Sequence, residues 1–179
     1  PLEPQLELIK ETIPSVKNIG FVYSPGEVNS TVILKLLKEK ATAMGLNIVE
    51  APAQKSGDIA MAAHSLVGKV DVIYTSTDNN VINAYEALAK VAKEAKIPLI
   101  SSDPSVVERG AAVVLGVNYH QLGVETGKIT AKILKGEKPG QIPVYHAKEL
   151  DLMVNKKSAS EQGITIPQSI LEKAKKVVE

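Results

Sequence analysis

The stretch Val70-Asp71-Val72-Ile73-Tyr74-Thr75-Ser76-Thr77-Asp78-Asn79-Asn80 decides the fold. Val70, Val72, Ile73 and Tyr74 form a short, β-branched and apolar run, which predicts a buried strand. The next six residues are hydroxyls, a carboxylate and amides. Val81, Ala84, Tyr85, Leu88, Ala92 and Ala95 then recur at helical spacing, predicting a helix from Asn80 to Ala95. Strand, polar loop and helix in that order make a βα unit. Ligands of open α/β sheets bind outside the carboxyl ends of the strands, so Thr75–Asn80 is the first candidate recognition loop.

The same order repeats on both sides of this unit. Towards the N-terminus, Glu3 to Ile13 is a helix that Pro14 should end. Asn18 to Ser24 is a strand and Ser24–Ser30 a loop, in which Asn29 or Ser30 can cap the helix from Thr31 to Met44. Gly45 fits the position after that helix. Asn47 to Ala53 is a second strand, followed by a weaker helix over Gly57 to Val67. Towards the C-terminus come a strand over Ile97 to Ser101, the loop Ser101–Ser105, a short helix ending at Gly110, and a strand over Ala111 to Val117. A helix from His120 to Lys135 closes at Gly136, and Glu137 to Pro143 is a connector. Leu150 to Val154 reads as a short strand, and Gln168 to Val178 as a terminal helix. Alternating strands and helices mean a doubly wound parallel sheet with helices on both faces, here a flavodoxin-like lobe with strand order 2-1-3-4-5. The expected division is a core over 14–117, a crossover helix and connector over 118–147, and a C-terminal strand and helix over 148–179.

Composition narrows the function. The chain has 179 residues, 44% hydrophobic and 23% charged, with a net charge of +1. Charges are scattered, so no basic block points to nucleic acid. Cysteine is absent, which removes thiolate catalysis, disulfides and Cys-ligated zinc. No apolar run reaches the roughly 18 residues of a membrane span, and Pro1-Leu2-Glu3-Pro4 does not open a signal peptide. The glycine scaffolds of dinucleotide-binding and P-loop folds are missing, as is the G-x-S-x-G elbow of serine hydrolases. His64, His120 and His146 lie far apart, with no metal-ligand spacing. A phospho-receiver domain needs acidic residues where Tyr23-Ser24-Pro25 stands. Neither an enzyme nor a cofactor or metal is expected.

Three loops should therefore converge on one edge: Ser24–Ser30, Thr75–Asn80 and Ser101–Ser105. Helix N-termini there favour a carboxylate or phosphate, and Asp78 or Asp103 can meet an ammonium or hydroxyl. The competing reading makes Asn29, Asn80 and Asp103 plain helix caps. Tyr23 and Tyr74 stand at strand ends, where they can stack on a ligand or pack the sheet edge.

These residues resemble a known family. Asn18-Ile19-Gly20 with Tyr23-Ser24-Pro25-Gly26-Glu27-Val28-Asn29-Ser30, and Lys69 to Tyr74 with Thr77-Asp78-Asn79, are similar to the substrate-binding proteins of ABC transporters. The group that includes tryptophan- and tyrosine-binding proteins is the nearest. Ala95-Lys96-Ile97-Pro98 with Ser102-Asp103, Ala131 to Glu137, and Leu152-Met153-Val154-Asn155 with Gly163 to Pro167 fit the same pattern. The resemblance implies a periplasmic-binding-protein-like lobe, the second of two, with the first lobe missing. It implies an extracytoplasmic protein that closes around a small polar solute, an aromatic amino acid among the candidates, and presents it to a membrane permease. The residues carried over to the ligand are Ser24, Asn29, Ser30, Thr77, Asp78 and Asn79, with Asp103 further out. Two other readings stay open: the ligand-sensing core of a transcriptional regulator, and a stand-alone flavodoxin-like enzyme domain. In the family the helix over 120–136 would cross to the other lobe. Alone, it is expected to bury Ile129 and Ile133, against its own lobe or in a swapped homodimer hinged near Gly116–Tyr119 and Glu137–Pro143.

Overall fold

The computed structural model describes residues 2–147 and 149–179. Seven strands form one sheet in the order β2-β1-β3-β4-β5-β6-β7. They are β1 (Asn18–Tyr23), β2 (Asn47–Pro52), β3 (Val72–Thr75), β4 (Leu99–Ser101), β5 (Val113–Val117), β6 (Leu150–Asn155) and β7 (Lys176–Val178). The first five are parallel and carry the expected order. Beyond them the sheet departs from the all-parallel expectation. β6 runs antiparallel to β5, with Val113 opposite Val154 and Val117 opposite Leu150. β7 adds parallel to β6, so the expected terminal helix is only a short one, α8 (Gln168–Lys173), followed by a strand. Lys176-Val177-Val178 is β-branched at two of three positions, which suits an edge strand better than a helix end.

Side chains alternate between two cores, as strand geometry requires. On one face Ile19, Phe21, Tyr23, Val72 and Tyr74 pack beneath α1 (Glu3–Thr12), α2 (Val28–Ala43) and α8. Phe21 stacks between Tyr23 and Tyr74, with ring centroids 5.8 and 6.0 Å away. On the other face Val22, Ala51, Ile73, Leu99 and Val114 pack against α3 (Ile59–His64), α4 (Asn79–Asn83) and α5 (Tyr85–Ala95). The single helix expected over 80–95 is broken at Ala84, whose backbone (φ −112°, ψ 28°) leaves the helical region between α4 and α5. The segment Pro104–Arg109 is a 3₁₀ helix that ends on Gly110 at φ 119°. Gly116 in β5 lets Pro104 approach: a Cβ there would lie 2.4 Å from the proline ring.

The helix α6 (Tyr119–Leu134) departs from one arm of the expectation, burial of Ile129 and Ile133 against its own lobe. It is ordered, yet none of its residues is buried. Ile133 is 39% exposed and Leu134 83%, and Ile129 is half-buried. The helix does not complete the lobe, and β6 takes the free edge of β5.

Candidate functional site

The order β2-β1-β3 places a topological switch point between β1 and β3. The chain leaving β1 turns into α2 on one face, and the chain leaving β3 turns into α4 on the other. Diverging loops at such a point frame the ligand crevice of doubly wound folds. Both loops have the composition of a polar site, and the third, after β4, adjoins them: Ser102 N–H donates to Thr75 O at 3.0 Å.

Asp78 stands at the centre. Its backbone is extended (φ −95°, ψ 124°) and its side chain caps α4 by accepting from Val81 N–H at 3.1 Å. The same oxygen, Oδ1, accepts from Ser24 Oγ at 2.8 Å. Oδ2 accepts from Ser24 N–H at 2.7 Å and from Ser30 Oγ at 2.6 Å. Asn80 Nδ2 donates to Ser24 Oγ at 3.0 Å, and Ser56 Oγ donates to Asn80 Oδ1 at 3.1 Å. Asp78, Ser24 and Ser30 are all buried. Nearby, Ser76 Oγ is buried with no hydrogen-bond partner among the described residues.

A second, exposed set of bonds lies over this one. Glu27 accepts from Asn79 N–H at 3.1 and 3.3 Å and from Asn79 Nδ2 at 3.0 Å. Asn29 Nδ2 donates to Thr77 O at 3.3 Å. Asn29, Thr77 and Asn79 are exposed. Neither Asn29 nor Ser30 is the cap of α2: the helix begins earlier than expected, at Val28, with Glu27 at the cap position. Asp103 does act as a cap, its Oδ1 accepting from Ser105 N–H at 2.9 Å and Ser105 Oγ at 2.6 Å. It is half-buried and shares no hydrogen bond with the other two loops.

Beside these loops is an open cavity of about 400 Å³. Tyr74, Thr77, Ser102, Ile33, Leu115 and Tyr119 are among its walls. The Tyr74 ring belongs to the core, and burial pushes its hydroxyl up to about 12. Tyr85, under the same edge, is also raised by burial, offset in part by bonds to Thr75 and Ser101. Both phenols are therefore neutral donors or acceptors at ordinary pH. Tyr23 donates to Glu50 at 2.9 Å and packs the sheet. Among the described residues no three His, Cys, Asp or Glu side chains converge as a metal site would require. Glu27 and Tyr119 were not singled out from sequence. Glu27 sits in a quoted motif, but its role depends on how close the two loops come, and Tyr119 on where α6 starts.

Comparison with known proteins follows the same outline. The family model described as ABC transporter substrate binding protein matches residues 1–178. A tyrosine-binding protein of Clostridioides difficile is 36% identical over 154 residues, which are 86% of this chain and 45% of that protein. A solved structure of a conserved domain protein from Vibrio cholerae is 45% identical at a TM-score of 0.91, covering 99% of this chain and 60% of the other. The structure of an ABC domain in complex with L-Trp from Streptococcus pneumoniae is 35% identical at a TM-score of 0.87, covering 99% and 62%. The chain thus spans about half the length of the curated relatives it matches and about three fifths of these two solved chains.

Proposed function

The chain belongs to the family of ABC transporter substrate-binding proteins, and on that premise we propose that it forms one wall of a solute cleft in an importer system. The solute is a small polar molecule of the amino-acid class, with aromatic ones such as tyrosine or tryptophan the first to test. Two relatives support this class, one called tyrosine-binding and one solved with L-Trp. The observation that carries the reading is the exposed polar row of Asn29, Thr77 and Asn79 at the switch point, next to an open cavity of about 400 Å³. That volume lies within the range of small-ligand sites, roughly 300–1,000 Å³. The amides and hydroxyl offer donors and acceptors to the polar end of an amino acid, and Ile33, Leu115 and Tyr119 offer surface to its side chain. Ser24, Ser30 and Asp78 lie directly beneath this row, and Asp103 stands at its border.

The wall is one of two, and the second lobe that the family supplies closes over it. The solute is then presented to a permease from the extracytoplasmic side of a bacterial membrane. No covalent step is involved, because the site needs only to bind, exclude water and release. Closure brings about half the contacts, so this chain alone binds more weakly than a two-lobed protein.

Calorimetric titration of the intact protein with L-tyrosine and L-tryptophan tests the reading. Asn29→Ala and Thr77→Ala should each weaken binding by about 1–3 kcal/mol, the scale of losing a buried or charge-assisted hydrogen bond. Stability should hardly change, since both side chains are exposed. Unaltered affinity in both variants would remove this edge from the site.

A further inference from the structure

Doubly wound folds take their ligands into the crevice between the diverging loops, and here that crevice is already filled by a side chain of the protein. Asp78 has no exposed surface. Two hydrogen bonds reach each of its oxygens, from Ser24 N–H, Ser24 Oγ, Ser30 Oγ and Val81 N–H. A carboxylate has about four lone-pair sites, so none is left for a solute. The donors come from both sides of the switch point: Ser24 directly follows β1, Ser30 is in the first turn of α2, and Val81 is in α4. No cation lies among them. The charge is held by hydroxyl and backbone donors alone, which ties its position to the separation of the two loops.

We infer that Asp78 is a positioning residue, acting on the solute only through its neighbours. It fixes the exposed Thr77 and Asn79 on its own loop against Asn29 on the other, so the polar row keeps one spacing. This rests on the solute-binding reading above, but it assigns Asp78 a different task from that of an acidic residue pairing with an ammonium. The solute's ammonium, on this account, meets no charge from Asp78. The outer bonds of Glu27 to Asn79 and of Asn29 to Thr77 lie across the same gap and are open to exchange with a solute.

The test compares L-tyrosine with 3-(4-hydroxyphenyl)propionate, which lacks the ammonium, in the intact protein. Asp78→Asn puts an N–H donor where two donors need an acceptor. Both ligands should lose affinity by the same factor, roughly ten- to a hundredfold. A loss confined to L-tyrosine would show a direct ion pair and overturn the inference. Ser30→Ala, which removes one of the four bonds and spares the fold, should produce a smaller loss, again equal for the two ligands. The double variant should lose less than the product of the single losses, because both break one lock; a full product would count against it. A ligand-free arm separates this from the solute reading. In Asp78→Asn the amides of Ser24 and Val81 should exchange faster, and the amide resonances of Asn29, Thr77 and Asn79 should all move. Stationary resonances at Asn29 would overturn the lock whether or not any amino acid binds. Moving resonances in a protein that binds no aromatic amino acid would leave the lock standing and refute the solute reading alone.

Discussion

The loops after β1 and β3 and the helix α6 are treated in opposite ways by this fold. The loops are polar in sequence, yet they hold a fully buried carboxylate whose four bonds join two elements. The helix carries Leu122, Ile129 and Ile133 at helical spacing, yet it buries none of its residues. Polarity and burial are thus uncoupled in both places. A polar group can be buried when every lone pair has a donor. An amphipathic stripe stays in water when no element of the same chain is placed to cover it.

Substitutions sharpen that contrast, beginning with the core beneath the loops. Phe21→Ala removes a fully buried ring that stacks on Tyr23 and Tyr74. It should cost about 3–5 kcal/mol in urea unfolding, the range for buried aromatic truncations. A loss below about 1 kcal/mol would mean that the face under α1 and α2 is not a packed core.

Next in size is Gly116→Ala, on the strand that leads into α6. Its new methyl would meet the ring of Pro104. Overpacking of this kind costs about 1–3 kcal/mol, and Pro104→Ala should relieve part of it. Absence of rescue would show that the strain lies elsewhere.

A smaller effect concerns pH. Hydrogen bonds from Arg109, at 2.6 and 2.8 Å, hold the Glu86 carboxyl down to about 2 from an ordinary 4.5. Because the folded-state value is depressed, the stabilisation is complete above about 4.5 and is lost as pH falls through about 2. The pair is open to solvent, so its worth is below about 1 kcal/mol. The stability gap between wild type and Glu86→Gln should therefore close between those pH values. A gap that persists at lower pH would contradict the pairing.

The smallest expected effect is at α6. Leu134→Gln should change stability by no more than about 0.5 kcal/mol, as for other exposed positions. A loss well above 1 kcal/mol would show the helix covered in solution, by a second copy or by more of the lobe.

Much of this was legible from residue patterns. The β-branched run of Val70, Val72, Ile73 and Tyr74 and the polar turn after it marked the βα unit, repetition of that unit pointed to a doubly wound sheet, and the order expected of a flavodoxin-like lobe holds for the first five strands. Periodicity says nothing about direction, so the antiparallel return of Leu150–Asn155 could not be read. It also could not separate the end of α8 from Lys176–Val178, since three residues are too few to show a period. At the site, residue types located the edge but not the burial. Asp78, Ser24 and Ser30 look as accessible in sequence as Thr77, Asn79 and Asn29. Their difference arises from the close passage of loops some 50 residues apart, as in the Ser24–Asp78 bond at a separation of 54. Burial of Ile129 and Ile133 against their own lobe is not met for the complementary reason: a stripe predicts a partner but does not supply one.

On the proposed reading the solute meets the switch-point edge and not the apolar helix. Isotope-labelled chain titrated with L-tyrosine and L-tryptophan at millimolar concentration tests it most directly, because amide shifts register weak binding to a single wall. The predicted result is a saturable shift of Asn29, Thr77, Asn79 and Ser102 with Val124, Ile133 and Leu134 unmoved. Shifts confined to α6, or to β6 and β7, with the three loops silent, would contradict it.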